Sequence, residues 1–197
     1  MEFVMDIETL TRNYNEGVWG KRYLASHLHT EGGWLTGVWM TGNDYRNKSP
    51  LYGTFPPRVL DRIRSMFPDV PATDILHVFS GAVPKEQGLR LDINPKLHPD
   101  IVGDAEHLSR FVRRRFTLCI ADPPYSKADA ERYGTSLPNK RLVLREIAKV
   151  TRKGGFLLWL DCIVPIYRKL DWDYVGQIAL TNGSNKRVRL WSVFRRP

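Results

Sequence analysis

Residues able to do chemistry are concentrated in one short stretch, Asp122-Pro123-Pro124-Tyr125. It follows the apolar run Phe116-Thr117-Leu118-Cys119-Ile120-Ala121. A run this short, rich in strand formers and cut off by a pair of prolines, predicts a buried strand that stops abruptly. Proline lacks an N–H and pushes the residue before it into an extended conformation. Asp122, Pro123, Pro124 and Tyr125 are therefore expected on a stiff, extended turn just past the strand's carboxyl end. In an open α/β sheet, ligands bind at that edge. The turn offers a carboxylate, a proline-restricted carbonyl and a flat aromatic face. That set suits a planar, amine-bearing partner such as a nucleobase. Taken alone, the tetrapeptide also reads as a strand-ending turn with an Asp cap and a packed Tyr.

The elements that must hold this turn are legible on both sides of it. Asp74–Phe79 predicts a first strand, followed by Ser80-Gly81-Ala82, where Gly81 tolerates positive φ and leaves room for a ligand. Leu89–Ile93 predicts a second strand soon afterwards. A parallel crossover takes at least about 10–12 residues with its helix, so the first crossover helix is expected to be shortened or lost. Asp92 ends the second strand, either to meet ribose hydroxyls or to cap the turn before Asn94-Pro95. Ile101-Val102-Gly103-Asp104 reads as a third strand, with Asp104 also placed to cap the helix that starts at Ala105. The periodic stripe Leu142, Val143, Ile147 and Val150 predicts a helix over Asn139–Arg152, ended by Lys153-Gly154-Gly155. Phe156–Leu160 is a further buried strand, followed by a short helical or turning segment over 162–170. Tyr174–Leu180 and Val188–Phe194 flank Asn182-Gly183, a strong hairpin signal.

This order predicts an α/β chain with a mixed, mostly parallel sheet, a closing antiparallel hairpin and helices on both faces. Upstream, Val59, Leu60, Ile63, Met66 and Phe67 share one face of a helix primed by Pro56-Pro57. Residues 1–50 open with a weakly amphipathic segment and continue dense in glycine and aromatics without a clean period. They are expected to form loops, short strands or helical turns packed over the sheet. The chain thus divides into an extension, 1–50, and a core, 51–197.

The formal charge of the 197 residues is +9 and the pI is about 9.7, a balance that favours a polyanionic partner such as nucleic acid. The 6 Trp and 8 Tyr among these charges offer faces on which exposed bases stack. Ser126–Pro138 leaves the chemically equipped edge directly. With Lys140 just beyond it, this loop makes Lys127, Arg132, Tyr133 and Lys140 the candidates for phosphate or base contacts. Arg113-Arg114-Arg115 lies at the opposite, amino end of the strand and reads as a solvated helix end. No apolar stretch reaches the about 18 residues a membrane span needs. Cys119 and Cys162, both in apolar segments, are expected as buried thiols of a reducing, cytoplasmic compartment, and no Cys/His spacing suggests a metal.

Asp-Pro-Pro-Tyr after a hydrophobic strand resembles the catalytic motif of S-adenosylmethionine-dependent methyltransferases acting on exocyclic amines of nucleobases. These are the N6-adenine and N4-cytosine DNA enzymes and some RNA enzymes. The resemblance covers residues 51–197 and implies a class I methyltransferase-like, Rossmann-like fold with S-adenosylmethionine as cofactor. It implies Asp122, Pro123, Pro124 and Tyr125 as the catalytic set. It further implies Phe79, Ser80, Gly81, Asp92, Ile93, Asp104 and Ala105 around the cofactor, with Gly53, Thr54 and Phe55 at its methionine end. The chain departs from the pattern in having one glycine after the first strand where the family has two or three. The implied activity is methylation of N6 of adenine in DNA, with the base flipped out. N6 of adenine or N2 of guanine in RNA is the alternative, and a catalytically silent nucleic-acid-binding subunit is another. No separate recognition domain is evident, so relaxed specificity, a short recognition site, or a protein partner or second copy of the chain that supplies target recognition is expected.

Overall fold

The computed structural model describes residues 5–18, 26–42, 55–56, 58–182 and 188–197. Its elements are α1 (Ile7–Val18), β1 (Leu28–Glu31), β2 (Trp34–Thr41), α2 (Val59–Met66), β3 (Ile75–Val78), β4 (Leu89–Asp92) and β5 (Ile101–Val102). There follow α3 (Leu108–Phe111), β6 (Phe116–Ala121), α4 (Lys127–Arg132), α5 (Lys140–Val150), β7 (Thr151–Asp161), β8 (Asp173–Asn182) and β9 (Val188–Arg195). All strands join one nine-stranded sheet in the order β1-β2-β8-β9-β7-β6-β3-β4-β5. Only the pairings made by β1 and β9 are antiparallel.

β6 lies in the interior of the sheet, between β7 and β3, with all of its residues buried. Alternate side chains of a strand point to opposite faces, and β6 feeds two cores accordingly. Leu118 and Ile120 pack with Leu10, Tyr14, Ile63 and Phe67 of the α1–α2 side. Cys119 and Ala121 pack with Leu108, Val143 and Ile147 of the α3–α5 side. Helices therefore cover both faces, and the strand that ends at Asp122 is clamped between two apolar layers.

The connection from β3 to β4 contains only a single 3-10 turn, Lys85–Gln87, so the expected shortening of the first crossover is real. α5 is capped by Asn139, whose side chain accepts from the Leu142 N–H at 3.2 Å. It ends at Val150, and strand β7 starts at once with Thr151, five residues before the expected Phe156. Two local causes are visible. The Thr151 hydroxyl donates back to the Ile147 carbonyl at 2.8 Å, and Gly155 leaves the strand room beside Thr117, whose carbonyl oxygen would lie 2.9 Å from an added Cβ. Residues 162–170 turn without a helix. Cys162 stands there exposed rather than buried, because it falls just beyond the end of β7 where the chain leaves the core.

The amino-terminal segment also corrects the sequence reading. Its hairpin does not lie over the sheet; β2 extends the sheet edge by pairing in parallel with β8, Leu35 opposite Gly176 and Trp39 opposite Leu180. α1 locks it down. Tyr14 stacks on Trp39 with centroids 5.7 Å apart, and the Asn15 side chain bonds both the N–H and the carbonyl of Leu28 at 2.9 Å. The Arg62 guanidinium of α2 donates to the Met40 carbonyl at 2.7 Å.

The junction between β2 and β8 is tight at Gly176, where an added Cβ would sit 2.6 Å from the Leu35 carbonyl oxygen. Gly176→Ala is expected to destabilise the fold by about 1–3 kcal/mol through overpacking, read by urea denaturation. Gly42→Ala, which meets nothing within 4 Å, is the control and should stay within about 0.5 kcal/mol. Equal effects of the two would show that the β2–β8 contact is not close-packed.

Candidate active site

Strand order places the site. From β3 the chain winds one way through β4 and β5, and from β6 the other way through β7, so the crevice beyond the carboxyl ends of β3 and β6 is a topological switch point. Ligands bind at such points in open α/β sheets. Here β3 and β6 are parallel neighbours, with Val78 opposite Ala121, so the loop starting at Phe79 and the turn starting at Asp122 emerge side by side.

On the β3 side the backbone is bent by unusual conformations. Phe79 has φ 58° and Gly81 φ 53°; the first is uncommon for a bulky side chain and marks local strain of the kind found at binding sites. The Gly81 N–H donates to Asp92 Oδ2 at 2.9 Å, and the Asn94 N–H donates to Asp92 Oδ1 at 2.9 Å. The carboxylate thus ties the end of β4 to the β3 loop, and each oxygen keeps a lone pair for a further donor. At the end of β5, Asp104 Oδ1 accepts from the Glu106 N–H at 2.9 Å, the capping role its position predicted.

On the β6 side, Asp122 meets Tyr125 three residues on, whose hydroxyl donates to Asp122 Oδ1 at 2.6 Å. Arg189, from β9, donates to that same hydroxyl oxygen at 3.4 Å. Burial raises the Asp122 carboxyl from its ordinary 3.8 to about 6, and the nearby Asp161 adds to the rise, while Tyr125 and Arg189 oppose it. Burial and the Asp122 charge push the Tyr125 phenol up, so it stays protonated as a donor. The turn is braced from behind. Lys140 Nζ donates to Asp161 Oδ2 at 2.6 Å and reaches the Tyr125 carbonyl at 3.5 Å. Trp159 Nε1 donates to the same Asp161 oxygen at 3.3 Å. A buried aspartate between an ammonium and an indole fixes the lysine in one place.

The two sides enclose one cavity of about 380 Å³. Phe79, Gly81, Asp92, Ile93, Asp104 and Ala105 line it from the β3–β5 ends, and Asp122, Pro123, Pro124, Tyr125, Arg132 and Tyr133 from the β6 end. The remaining sequence-derived candidates are elsewhere. Ser80 is buried at 3% exposure beneath the loop. Phe55 packs in the α1–α2 core, its ring 5.8 Å from that of Trp191. Lys127 is exposed on α4, and Lys140 is committed to Asp161. Gly53 and Thr54 lie outside the described residues. Sequence reasoning missed Arg189, which also lines the cavity. Its signal was parity: Arg189 shares the inward face of β9 with Trp191 and Val193, where a charge is out of place.

The donor set fits a nucleoside-containing cofactor. A carboxylate at the end of β4 can take vicinal hydroxyls, and the half-exposed Ile93 beside it offers an apolar face for a base. In the bent loop Gly81 itself has no side chain to obstruct a close approach. Among the described residues no group of three or more His, Cys, Asp or Glu is placed to hold a metal ion. None of the described helices is long and apolar enough to cross a membrane.

No protein-family model matches the chain, and no curated protein matches it in sequence. Among solved structures it is similar to TrmN from Thermus thermophilus, with a TM-score of 0.55 at 15% identity over 74% of this chain and 50% of that one. Weaker likenesses join it to aTrm5 in complex with tRNALeu, TM-score 0.47 at 15% identity over 87% and 53% of the two chains. Another joins it to the N-methyltransferase NodS of Bradyrhizobium japonicum WM9 with S-adenosyl-L-homocysteine, TM-score 0.45 at 13% identity over 64% and 79%. At these identities the likeness is one of fold, and of the three only that to TrmN is close enough to carry weight. The chain has a class I, Rossmann-like methyltransferase fold, and it spans half the length of the TrmN structure it matches.

The raised Asp122 carboxyl has a sign that can be measured. Its folded-state value of about 6 exceeds the ordinary 3.8, so the folded chain binds the extra proton and stability falls as pH rises between the two. Asp122→Asn keeps an oxygen for the Tyr125 hydroxyl and removes the charge. By urea denaturation it is expected to match the parent below about pH 3.5 and to be about 1–3 kcal/mol more stable above pH 7. Matching midpoints at pH 7.5 would show that Asp122 is not raised.

Proposed function

We propose that this chain is an S-adenosylmethionine-dependent methyltransferase that methylates an exocyclic amine of a nucleobase, with N6 of adenine in DNA as its target. The observation that carries the reading is the convergence of the Phe79–Gly81 loop, Asp92 and Asp122 on one cavity at the switch point. Asp92 would hold the ribose hydroxyls, Ile93 the adenine face, and Asp104 with Ala105 the adenine edge. The cofactor supplies an electrophilic sulfonium methyl when bound.

An aromatic amine is a weak nucleophile because its lone pair is delocalised into the ring. Asp122 and the Pro123 carbonyl accept its N–H bonds, which turns the lone pair toward the methyl and stabilises charge as nitrogen becomes tetrahedral. The N–CH3 bond forms as the S–CH3 bond breaks, and the nitrogen loses its proton through Asp122. Asp122 can accept only when ionised, so its rise to about 6 places it near the working pH of a general base. Tyr133, at 41% exposure on the cavity wall, joins Tyr125 as an aromatic face for the base, and Arg132 lies next to it for phosphate. In duplex DNA the base must be flipped out, at a cost of a few kcal/mol.

The test is to express the chain in a host and to hydrolyse the genomic DNA and the total RNA. Methylated nucleosides are then read by mass. N6-methyladenine in DNA is expected, reduced by about 100-fold or more in Asp122→Ala, as for removal of a principal transition-state hydrogen bond. Methylation confined to RNA would move the target to N6 of adenine or N2 of guanine there. No methylated nucleoside in either would support a silent subunit and reject the enzyme.

A further inference from the structure

Resting on the reading of Asp122 as the acceptor for the amine, we infer that Arg189 is a positioning residue. Through the Tyr125 hydroxyl it keeps Asp122 ionised and directs the amine to Oδ2. The geometry is a directed chain of hydrogen bonds. Arg189 Nη1 donates to Tyr125 Oη at 3.4 Å, and Tyr125 Oη donates to Asp122 Oδ1 at 2.6 Å. A phenol that accepts from a cation becomes a better donor to the carboxylate beyond it, since bonds in such a chain polarise one another. The short Tyr–Asp bond is of the charge-assisted kind and favours the ionised acid. Tyr125 takes one lone pair of Oδ1, so Oδ2 is the oxygen with more acceptor capacity left for an incoming N–H.

The placement is deliberate in the backbone. Arg189 pairs with Leu180 of β8, two residues before Trp191 on the face that builds the α1–α2 core. A cation on that parity is turned inward, toward the cavity that it lines. The charged and titratable groups around Asp122 come from every neighbouring element. Asp161 stands at the end of β7 with Lys140 of α5 on it. Asp129, Arg132 and Tyr133 approach from α4 and its end, and Asp92, Asp104 and Glu106 from the ends of β4 and β5. Of these carboxylates Asp161 disfavours a negative charge at Asp122. Lys140 is spent on Asp161, and among the described residues Arg189 is a cation linked to Asp122 by hydrogen bonds, through Tyr125.

The account predicts a coupling that mere packing would not produce. The Asp122 carboxyl carbon is followed by NMR titration in the parent, Arg189→Met, Tyr125→Phe and the double variant, without substrate or cofactor. Arg189→Met is expected to raise the Asp122 titration by about one unit, and Tyr125→Phe to raise it likewise. In the Tyr125→Phe background Arg189→Met should add less than half of its single effect, because its route is gone. Arg189→Lys should recover part of the shift. Where turnover is followed, the acid limb of kcat/KM should move by the same amount, so that Arg189→Met loses about fivefold or more at pH 6 and little at pH 8.5. An unmoved Asp122 titration in Arg189→Met would overturn the inference, as would an undiminished shift in the Tyr125→Phe background. Absence of methyl transfer in the parent would instead strike the functional reading, since the titration does not depend on turnover.

Discussion

Ending a wholly buried strand in an aspartate carries a desolvation cost, and the surroundings of Asp122 are arranged around it. β6 is apolar from Phe116 to Ala121 and covered on both faces. The prolines then stop the ladder and hold the carboxylate at the rim. Tyr125 and Arg189 offset part of the cost, while Asp161 adds to it. The result is a carboxyl pushed up from its ordinary 3.8 to about 6, a perturbation of the kind that clusters at functional sites.

Sheet order does the rest. Because strands leave β3 and β6 in opposite directions, the two loops at their ends open on one crevice with no helix between them. The shortened connection after β3 strengthens the effect. A single 3-10 turn replaces a crossover helix, and the bend needed to make it fit is taken up at Phe79 and Gly81, both left-handed. Asp92 secures that bend by accepting the Gly81 N–H.

Much of this was legible in the residues. Hydrophobic runs bounded by turn residues located β3, β4, β6 and the strands of the closing hairpin, and the proline pair marked a turn that lines the candidate cavity. Asp104 as a cap followed from its place before Ala105-Glu106. Three things were not legible, each for a physical reason. The amino-terminal hairpin lacks a clean period because its glycines serve the turn, as Gly32 and Gly33 do with positive φ, or leave room for a neighbour, as Gly37 does for the Leu28 side chain, and because its partner β8 is more than 130 residues away. Lys140 read as a free cation, since nothing local shows that Asp161 will reach it across α5. Arg189 was hidden within a basic run after the Asn-Gly turn, where charge alone says solvent. Only its parity with Trp191 and Val193 says otherwise.

The most direct measurement is calorimetric titration of the purified chain with S-adenosylmethionine, in the parent and in Asp92→Ala. The account predicts saturable binding at one site in the parent and a loss of at least about tenfold in the variant, equivalent to about 1.4 kcal/mol. No heat of binding in the parent, or equal affinity in the two, would contradict the assignment of the crevice between β3 and β6 as the cofactor site.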